Sequence, residues 1–288
     1  MNNSRIVLCT LILNEMEWLP KLYQQHMDWP GMIQWIFVEA ADQVYAETNP
    51  DRVSSDGLSV DGTTVYLQQL SSQDDRITHI RHGLARHTNR AQGKCAARRR
   101  YLQEADGYSP KFLYVIDGDE FYPHDDQRVI SSTMVGSPRQ VTSFCYRQRH
   151  IWHPPSIHTT PLLGQEVVGG FWDIPHCRGW RWQPGLTYHS NHNTPETTDG
   201  RLLDKRMGAF YQRADTPQCV HLGFASTLAS RHAKNAYYAA RGEGIVDHRG
   251  WYVESRAAYE TWSPGDTLPR GAQVIPYTGP IPECWSNP

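Results

Sequence analysis

The chain has 288 residues, of which 39% are hydrophobic and 20% charged, and its formal net charge is −2 at neutral pH. This length allows one large α/β core, and the near-neutral charge excludes a protein coated in basic surface. The only N-terminal apolar run, residues 6–13, is too short to cross a bilayer and lacks a small-residue cleavage site. We therefore expect a cytoplasmic protein without a signal peptide or a membrane span.

The six cysteines are scattered along the chain and include no C-x-x-C pair. Their spacing predicts reduced thiols, and neither a disulfide framework nor a structural zinc site. The 10 Trp, 15 Tyr and 14 His suit contacts to sugars, bases or metals, although aromatic side chains are more often simply part of a core.

Predicted strands and helices alternate in the first part of the chain. Apolar runs indicate buried strands at 5–13, 32–38 and 112–116, with a shorter strand at 76–80. Between them we predict a helix that opens at Asn14, a helix at 57–70 and a helix at 89–105. The order β-α-β-α-β-α-β is typical of a doubly wound α/β fold, a mostly parallel twisted sheet with helices on both faces.

Charge is concentrated where the strand at 112–116 ends. The next four residues are Asp117, Gly118, Asp119 and Glu120. In open α/β sheets, ligands bind outside the carboxyl ends of the strands. Carboxylates are hard oxygen ligands that suit Mg²⁺ or Mn²⁺, and a glycine lets the backbone approach a ligand closely. The stretch predicts a cation site, with a solvated acidic turn as the alternative.

Beyond residue 125 the alternation fades. We predict an antiparallel strand at 141–152, short strands at 179–182, 186–189 and 219–222, and a helix at 225–241. The prolines at 264, 269, 276, 280 and 282 predict an extended tail. The C-terminal half is therefore expected to be irregular, antiparallel and helical, within a single domain spanning residues 1–288.

Five short motifs stand in order along residues 5–123. They are LNE at 13–15, WLP at 18–20, FVE at 37–39, QGK at 92–94 with Arg98 following, and IDGDEF at 116–121. This ordered set resembles GT-A-fold glycosyltransferases, in particular family-2-like enzymes. The resemblance implies a Rossmann-like GT-A fold, with a nucleotide-sugar-binding half at 1–123, an acceptor-side half at 124–262 and the Pro-rich tail at 263–288.

The resemblance also implies a donor and a cation. A nucleotide-diphosphate-sugar would bind across the strand ends, and Asp119 with Asp117 would hold Mn²⁺ or Mg²⁺ on its two phosphates. The other implied donor contacts are Leu11 and Glu15 around the base, Glu39 near the base or ribose, Lys94 and Arg98 toward the pyrophosphate, and Gly118 at the turn. Lys94 and Arg98 also fit an ordinary solvated basic helix.

His221 is the candidate for a third metal ligand. It lies in a short apolar run far from Asp117 and Asp119 in the sequence. Many GT-A enzymes complete the cation site with a distant histidine, and a neutral imidazole suits Mn²⁺ better than Mg²⁺. The alternative is a hydrogen-bonded core histidine.

The resemblance implies an inverting transfer, which requires a base that deprotonates the acceptor hydroxyl. The candidates are Asp173, Glu166 and Glu196, and each also fits a structural role. Asp173 comes first, because its segment GGFWDI carries an aromatic residue that could stack on a sugar.

Two acceptors are compatible with the sequence. One is a saccharide, lined by Trp and Tyr side chains. The other is a hydroxylated base in phage-type DNA, because cations are frequent at 76–100 and segment 146–153, YRQRHIWH, mixes cations with aromatics. A non-catalytic nucleotide- or glycan-binding domain on the same fold remains the alternative function. No obligate protein partner is predicted.

Overall fold

The computed structural model describes residues 4–86, 92–152, 165–168, 175–189, 192–203, 209–211, 218–225, 227–240 and 273–285. The strands are β1 (Ile6–Ile12), β2 (Met32–Asp42), β3 (Ile77–Ala85), β4 (Phe112–Val115), β5 (Glu120–Phe121), β6 (Ser143–Trp152), β7 (Gln165–Val168), β8 (His176–Arg181), β9 (Ala209–Tyr211), β10 (Gln218–Phe224) and β11 (Gln273–Pro276). The α-helices are α1 (Leu19–His26), α2 (Gln43–Thr48), α3 (Thr63–Gln73), α4 (Gln92–Gly107), α5 (His124–Gly136) and α6 (Leu228–Ala240). Short 3₁₀ turns span Pro50–Arg52 and Glu283–Trp285.

Four parallel strands form the N-terminal part of the sheet, in the order β3-β2-β1-β4. The side chains of β1 alternate between the two faces, as strand geometry requires. Ile6 and Leu8 pack into a core with α1, α3 and α5, while Val7 and Cys9 pack into a second core with α4. Both faces are covered, which explains the nearly continuous apolar sequence of β1. The predicted mixed α/β fold is confirmed.

The rest of the sheet is mixed in direction. β8 pairs antiparallel with β4, and β6 pairs antiparallel with β8 and with β7. β6 also pairs in parallel with β9 and with β10, so the prediction of a purely antiparallel strand was incomplete. β10 in turn pairs antiparallel with β5, the two-residue strand that begins at the last residue of the acidic turn at 117–120. The C-terminal half is thereby joined to the end of β4.

Two helices occur where the sequence pattern did not predict them. α2 lies in the segment expected to be a polar loop, and Asp42 caps it by accepting the Val44 N–H at 2.9 Å. α5 begins shortly after β5, with Asp125 and Asp126 in its first turn, where negative charge favours a helix. Neither segment has a long run of apolar residues at helical spacing. Tertiary packing therefore stabilises these helices more than their own sequence pattern does.

The expectation of six reduced cysteines was wrong for one pair. Cys145 on β6 and Cys177 on β8 form a disulfide, and the antiparallel register places them directly opposite each other. The other four cysteines are buried and form no disulfide. The bonded residues are 32 positions apart, so no local spacing motif marks them.

The described C-terminal residues return to the N-terminal half. β11 pairs antiparallel with β7, and the segment at 283–285 packs against α1. The Gln25 amide donates to Glu283 at 2.7 Å, and the Trp285 ring lies 4.4 Å from the Phe121 ring. Within the described residues, none of the helices combines the length and the apolar character that crossing a bilayer requires.

His26 joins α1 to the chain that follows the acidic turn. Its Nδ1 donates to the Leu22 carbonyl at 2.9 Å, and its Nε2 accepts the Tyr122 N–H at 3.1 Å. The side chain is fully buried, and this burial lowers its pKa from 6.5 to about 3. The imidazole is therefore neutral in the folded protein, because protonation would remove the acceptor for Tyr122.

Because His26 is neutral in the folded protein, we expect the free energy of unfolding to fall in acid. In the unfolded chain the imidazole of His26 binds a proton below pH 6.5, whereas in the folded protein it binds one only below about pH 3. Between these values the unfolded state binds more protons, so falling pH favours unfolding. His26 lowers the free energy of unfolding by about 1.4 kcal/mol for each pH unit in this range. Urea unfolding at pH 6 and pH 4 should show a shallower pH dependence for His26→Gln than for the wild type. His189→Gln removes an exposed histidine as the control, and equal slopes for His26→Gln and the wild type would contradict this role.

Candidate active site

A cavity of about 610 Å³ opens at the carboxyl ends of the parallel strands. The chain runs outward from β1 to β2 and β3 and then returns through α4 to β4, on the other side of β1, so the cavity lies at a topological switch point of the sheet. Helices α4 and α6 complete its wall. Of the seven residues predicted to contact the nucleotide sugar, all but Glu39 line this cavity. They are Leu11, Glu15, Lys94, Arg98, Asp117 and Gly118.

The acidic turn after β4 is neutralised by arginine. Asp117 accepts hydrogen bonds from Arg98 at 3.3 Å and from Arg178 at 2.8 Å. Glu120 is fully buried and is bound by Arg178 and by Gln148, while its other oxygen accepts the Asp117 N–H at 3.1 Å. Burial opposes ionisation of Asp117, but the two guanidinium groups outweigh it and hold the pKa of Asp117 below its ordinary value. Asp117 is thus part of an ion-pair network at the cavity wall.

Asp119 points to a different set of partners. Its Oδ1 lies 3.5 Å from His221 Nε2, and its Oδ2 accepts from Lys234 Nζ at 3.1 Å. The pairing of β10 with β5 explains the approach of His221, which lies opposite Glu120. The Leu222 N–H also donates to the Asp119 carbonyl at 2.8 Å. Burial would raise the pKa of Asp119, but Lys234 and His221 hold it below its ordinary value.

The Asp119 and His221 side chains can bind one divalent cation. Two ligands about 2.1 Å from a six-coordinate cation lie about 3 Å apart when they are adjacent, close to the 3.5 Å separation of this oxygen and nitrogen. Oxygen and imidazole donors together suit Mn²⁺. Within the described part of the chain, no three His, Cys, Asp or Glu side chains are grouped as a complete metal site. A cation here would need further ligands, which the phosphates of a substrate can provide.

The environment of His221 favours the state that binds metals. Its Nδ1 faces the Nδ1 of His150 at 2.8 Å, and the His150 ring lies 6.3 Å from the His176 ring. Burial lowers the pKa of His221, although Asp119 acts in the opposite direction. If His221 Nδ1 carries the proton and donates it to His150, the Nε2 lone pair faces Asp119. Such a second hydrogen bond commonly orients a metal-binding histidine.

Glu15 covers the glycine of the acidic turn. A Cβ on Gly118 would lie 2.8 Å from Glu15 Cγ, so only glycine leaves room for this side chain. The turn that delivers Glu15 is formed by Asn14, which has a left-handed backbone with φ of 54°. Burial raises the pKa of Glu15 to about 8, with Lys234 acting against this rise and Asp119 adding to it.

Helix α4 brings two cations to the cavity. Arg98 is buried and reaches Asp117, so it does not fit the solvated basic helix of the alternative interpretation. Lys94 Nζ lies 5.6 Å from the Tyr237 ring centroid and 5.8 Å from that of Tyr238. These two tyrosines come from α6 and also line the cavity. The cavity therefore has an acidic end at the turn and an aromatic, cationic end between α4 and α6.

Glu39 lies outside the cavity, in a closed polar network. One carboxylate oxygen accepts from the Ser59 N–H at 2.8 Å and the Thr64 hydroxyl at 2.6 Å, and the other contacts His79 at 2.9 Å. The side chain is fully buried. These contacts give Glu39 a structural position instead of the predicted contact to a base or ribose. Asp42, three residues later at the end of β2, lines the cavity instead.

The candidates for the general base are not brought together. Glu166 is buried and forms an ion pair with Arg149. Glu196 is also buried, and its backbone forms isolated β-bridges with Thr187 and with Leu202. Neither lines the cavity, so both occupy structural positions. Asp173 lies outside the described residues.

Segment 146–153, considered for DNA binding, is mostly the interior of a strand. Tyr146, Gln148 and His150 are buried, and Arg149 is occupied by Glu166 and by the Tyr277 ring at 4.6 Å. Its last residue, at position 153, lies outside the described residues. The described part of this segment does not present a row of cations and aromatics to a nucleic acid.

Sequence reasoning missed Arg178, Lys234, Asp42 and His150. Arg178 and His150 reach the site through strands paired with elements distant in the sequence, β8 with β4 and β6 with β10, and Lys234 reaches it from helix α6. Asp42 had a usable signal, because the buried Ala40 and Ala41 continue β2 beyond the large apolar residues. Arg178 and Lys234 stand in no motif.

Comparison with known proteins finds matches among solved structures, all at low identity. No model of a known protein family matches the chain, and no curated protein matches it. A solved structure of TarS from S. aureus matches 56% of this chain and 24% of that chain, at 10% identity and a TM-score of 0.31. A structure of TarS 1–349 matches 89% of this chain and 70% of that chain, at 8% identity and a TM-score of 0.41. The mannosyltransferase PcManGT from Pyrobaculum calidifontis, in complex with GDP-Man and Mn²⁺, matches 89% of this chain and 72% of that chain, at 14% identity and a TM-score of 0.41. TM-scores below 0.5 assign no function to this chain.

The arginine network predicts a large effect of one substitution. Arg178→Met leaves the Glu120 carboxylate buried and removes one of the two guanidinium partners of Asp117. We expect a loss of about 3 kcal/mol in the free energy of unfolding, measured in urea at pH 7. Arg201→Met, which breaks an exposed pair with Asp199, is the matched control and should have almost no effect. Similar losses for both variants would show that Glu120 does not depend on Arg178.

Proposed function

We propose that the chain is a metal-dependent glycosyltransferase that moves a sugar from a nucleotide-diphosphate-sugar to a hydroxyl acceptor. The observation that carries this proposal is the Asp119–His221 pair at the end of β4, inside a cavity that also contains Lys94, Arg98 and Lys234. Carboxylate and imidazole ligands beside several cations suit a divalent cation and a diphosphate together.

The donor is expected to lie along the strand ends. Its base would fit between the ends of β1 and β2, near Leu11 and Asp42, and its diphosphate would lie toward Lys94 and the acidic turn. Bound by Asp119 and His221, the cation would neutralise the charge that develops on the departing nucleoside diphosphate. Arg98 and Arg178 hold Asp117 in position and keep the turn folded under this charge.

We favour a saccharide over a DNA base as the acceptor. The described part of segment 146–153 lies mostly inside the sheet, which removes one of the two arguments for a DNA-binding surface. The acceptor side of the cavity is lined by Pro175, His176, His192 and Asn193. Asp173, two residues before Pro175 in the sequence, is kept as the proposed base of an inverting transfer.

A non-catalytic nucleotide- or glycan-binding domain is the alternative class. It would bind a nucleotide sugar without breaking the glycosidic bond to the phosphate. Release of nucleoside diphosphate from a panel of nucleotide sugars, with Mn²⁺ and without an added acceptor, separates the two functions. Slow donor hydrolysis is expected of the enzyme and not of the binding domain.

Asp119→Asn tests the role of the acidic turn. The amide loses the negative charge that binds the cation, so Mn²⁺-dependent release of nucleoside diphosphate should fall at least about 100-fold. The fold should persist, because Asp119 lies at a strand end. Asp125→Asn, an exposed acidic residue on α5, is the matched control and should retain full activity. Full turnover of the wild type in excess EDTA would contradict the metal-dependent mechanism.

A further inference from the structure

We propose that, in the metal-free protein, the Lys234 ammonium group pairs with Asp119 at the position that the divalent cation would take. Cation binding then moves this ammonium group from Asp119 to the diphosphate of the sugar donor. This inference rests on the proposed function, and it concerns a residue that no motif marks. It assigns to α6 the role of coupling the metal site to the nucleotide site.

The first argument is the occupation of the Asp119 carboxylate. Lys234 Nζ lies 3.1 Å from one oxygen, and His221 Nε2 lies 3.5 Å from the other. The Asp119 side chain is only 8% exposed, and Glu15 lies against the same turn. A buried carboxylate without a partner is strongly unfavourable, so the metal-free protein requires a positive charge at this position. Lys234 provides it.

The second argument is that Lys234 and a metal ion compete. Both are positively charged, and both would lie within contact distance of Asp119. Their mutual repulsion in a partly buried site is large, so the carboxylate cannot hold the two together in the present geometry. Binding of the cation therefore requires Lys234 Nζ to move away from Asp119.

The third argument concerns where the ammonium can go. Ser230, Lys234, Tyr237 and Tyr238 all line the cavity from one face of α6. The helix is held in place by α2 and the residue that follows it, since the Tyr237 ring lies 5.7 Å from the Tyr45 ring and the Asn49 amide donates to the Ala233 carbonyl at 3.3 Å. The Lys234 side chain is 28% exposed. Its flexible four-carbon stem can therefore redirect the charge within the cavity while the helix stays in place.

These three points give Lys234 opposite effects on two ligands. In the absence of nucleotide it weakens cation binding, because its contact with Asp119 must first be broken. In the presence of the cation it strengthens binding of a diphosphate, because the displaced ammonium meets phosphate oxygens. By thermodynamic linkage, part of the cooperativity between cation and nucleotide resides in this one side chain.

The test measures Mn²⁺ and nucleotide binding separately, by calorimetry on the whole chain. In Lys234→Met, which keeps the length of the stem without its charge, Mn²⁺ alone should bind about tenfold more tightly than in the wild type. With Mn²⁺ saturating, UDP and GDP, used as probes of the diphosphate site, should bind about tenfold more weakly. Lys94→Met is the matched control: this cation lies in the same cavity but contacts Tyr237 and Tyr238, so its loss should leave the affinity for Mn²⁺ alone within about twofold.

The outcomes separate this inference from the proposed function. Unchanged or weaker Mn²⁺ binding by Lys234→Met, in a protein whose wild type binds Mn²⁺ through Asp119, would overturn the inference and leave the proposed function standing. Absence of both Mn²⁺ and nucleotide binding in the wild type and in Lys234→Met would overturn both. Thermal unfolding checks that the variant is folded, and Lys234→Gln, which keeps a hydrogen-bond donor for Asp119, replaces it if it is not.

Discussion

The crowding of three carboxylates into four residues, two of them buried, is the constraint on which the site depends. Asp119 and Glu120 are buried and Asp117 is partly buried, all shortly after the end of β4, so each is unfavourable without a partner. Two arginines balance Asp117, and one of them also balances Glu120. Asp119 is left with a lysine and a histidine, partners that a divalent cation can replace or join. The division between arginine-bound and exchangeable carboxylates is what makes this turn a candidate metal site.

The C-terminal half of the chain provides most of these partners. Arg178 comes from β8, His221 from β10 and Lys234 from α6, and each element lies next to the acidic turn through the sheet or across the cavity. The N-terminal half supplies the turn itself, Arg98 and the floor of the cavity. The site is therefore assembled from both halves, and neither half contains a complete set of charges.

The parts that could be predicted from the sequence are those with local signals. β1 and β4 are continuous apolar runs, and the acidic turn is a local burst of charge, so both were found. Glu39 was assigned to the nucleotide sugar because the resemblance placed this contact at the end of the predicted strand 32–38, whereas the strand continues to Asp42 through two buried alanines. Arg178 and Lys234 could not be found, because their roles arise from strand register and helix docking, which leave no mark in nearby residues. The disulfide between Cys145 and Cys177 escaped prediction for the same reason.

The central claim is that a divalent cation binds between Asp119 and His221 at the end of β4. Its most direct test is anomalous scattering from crystals soaked with MnCl₂ and a nucleoside diphosphate. The account predicts a manganese peak in direct contact with the Asp119 carboxylate and His221 Nε2, with phosphate oxygens completing the coordination. A manganese peak elsewhere in the protein, or none at this turn while the nucleotide is bound, would contradict it.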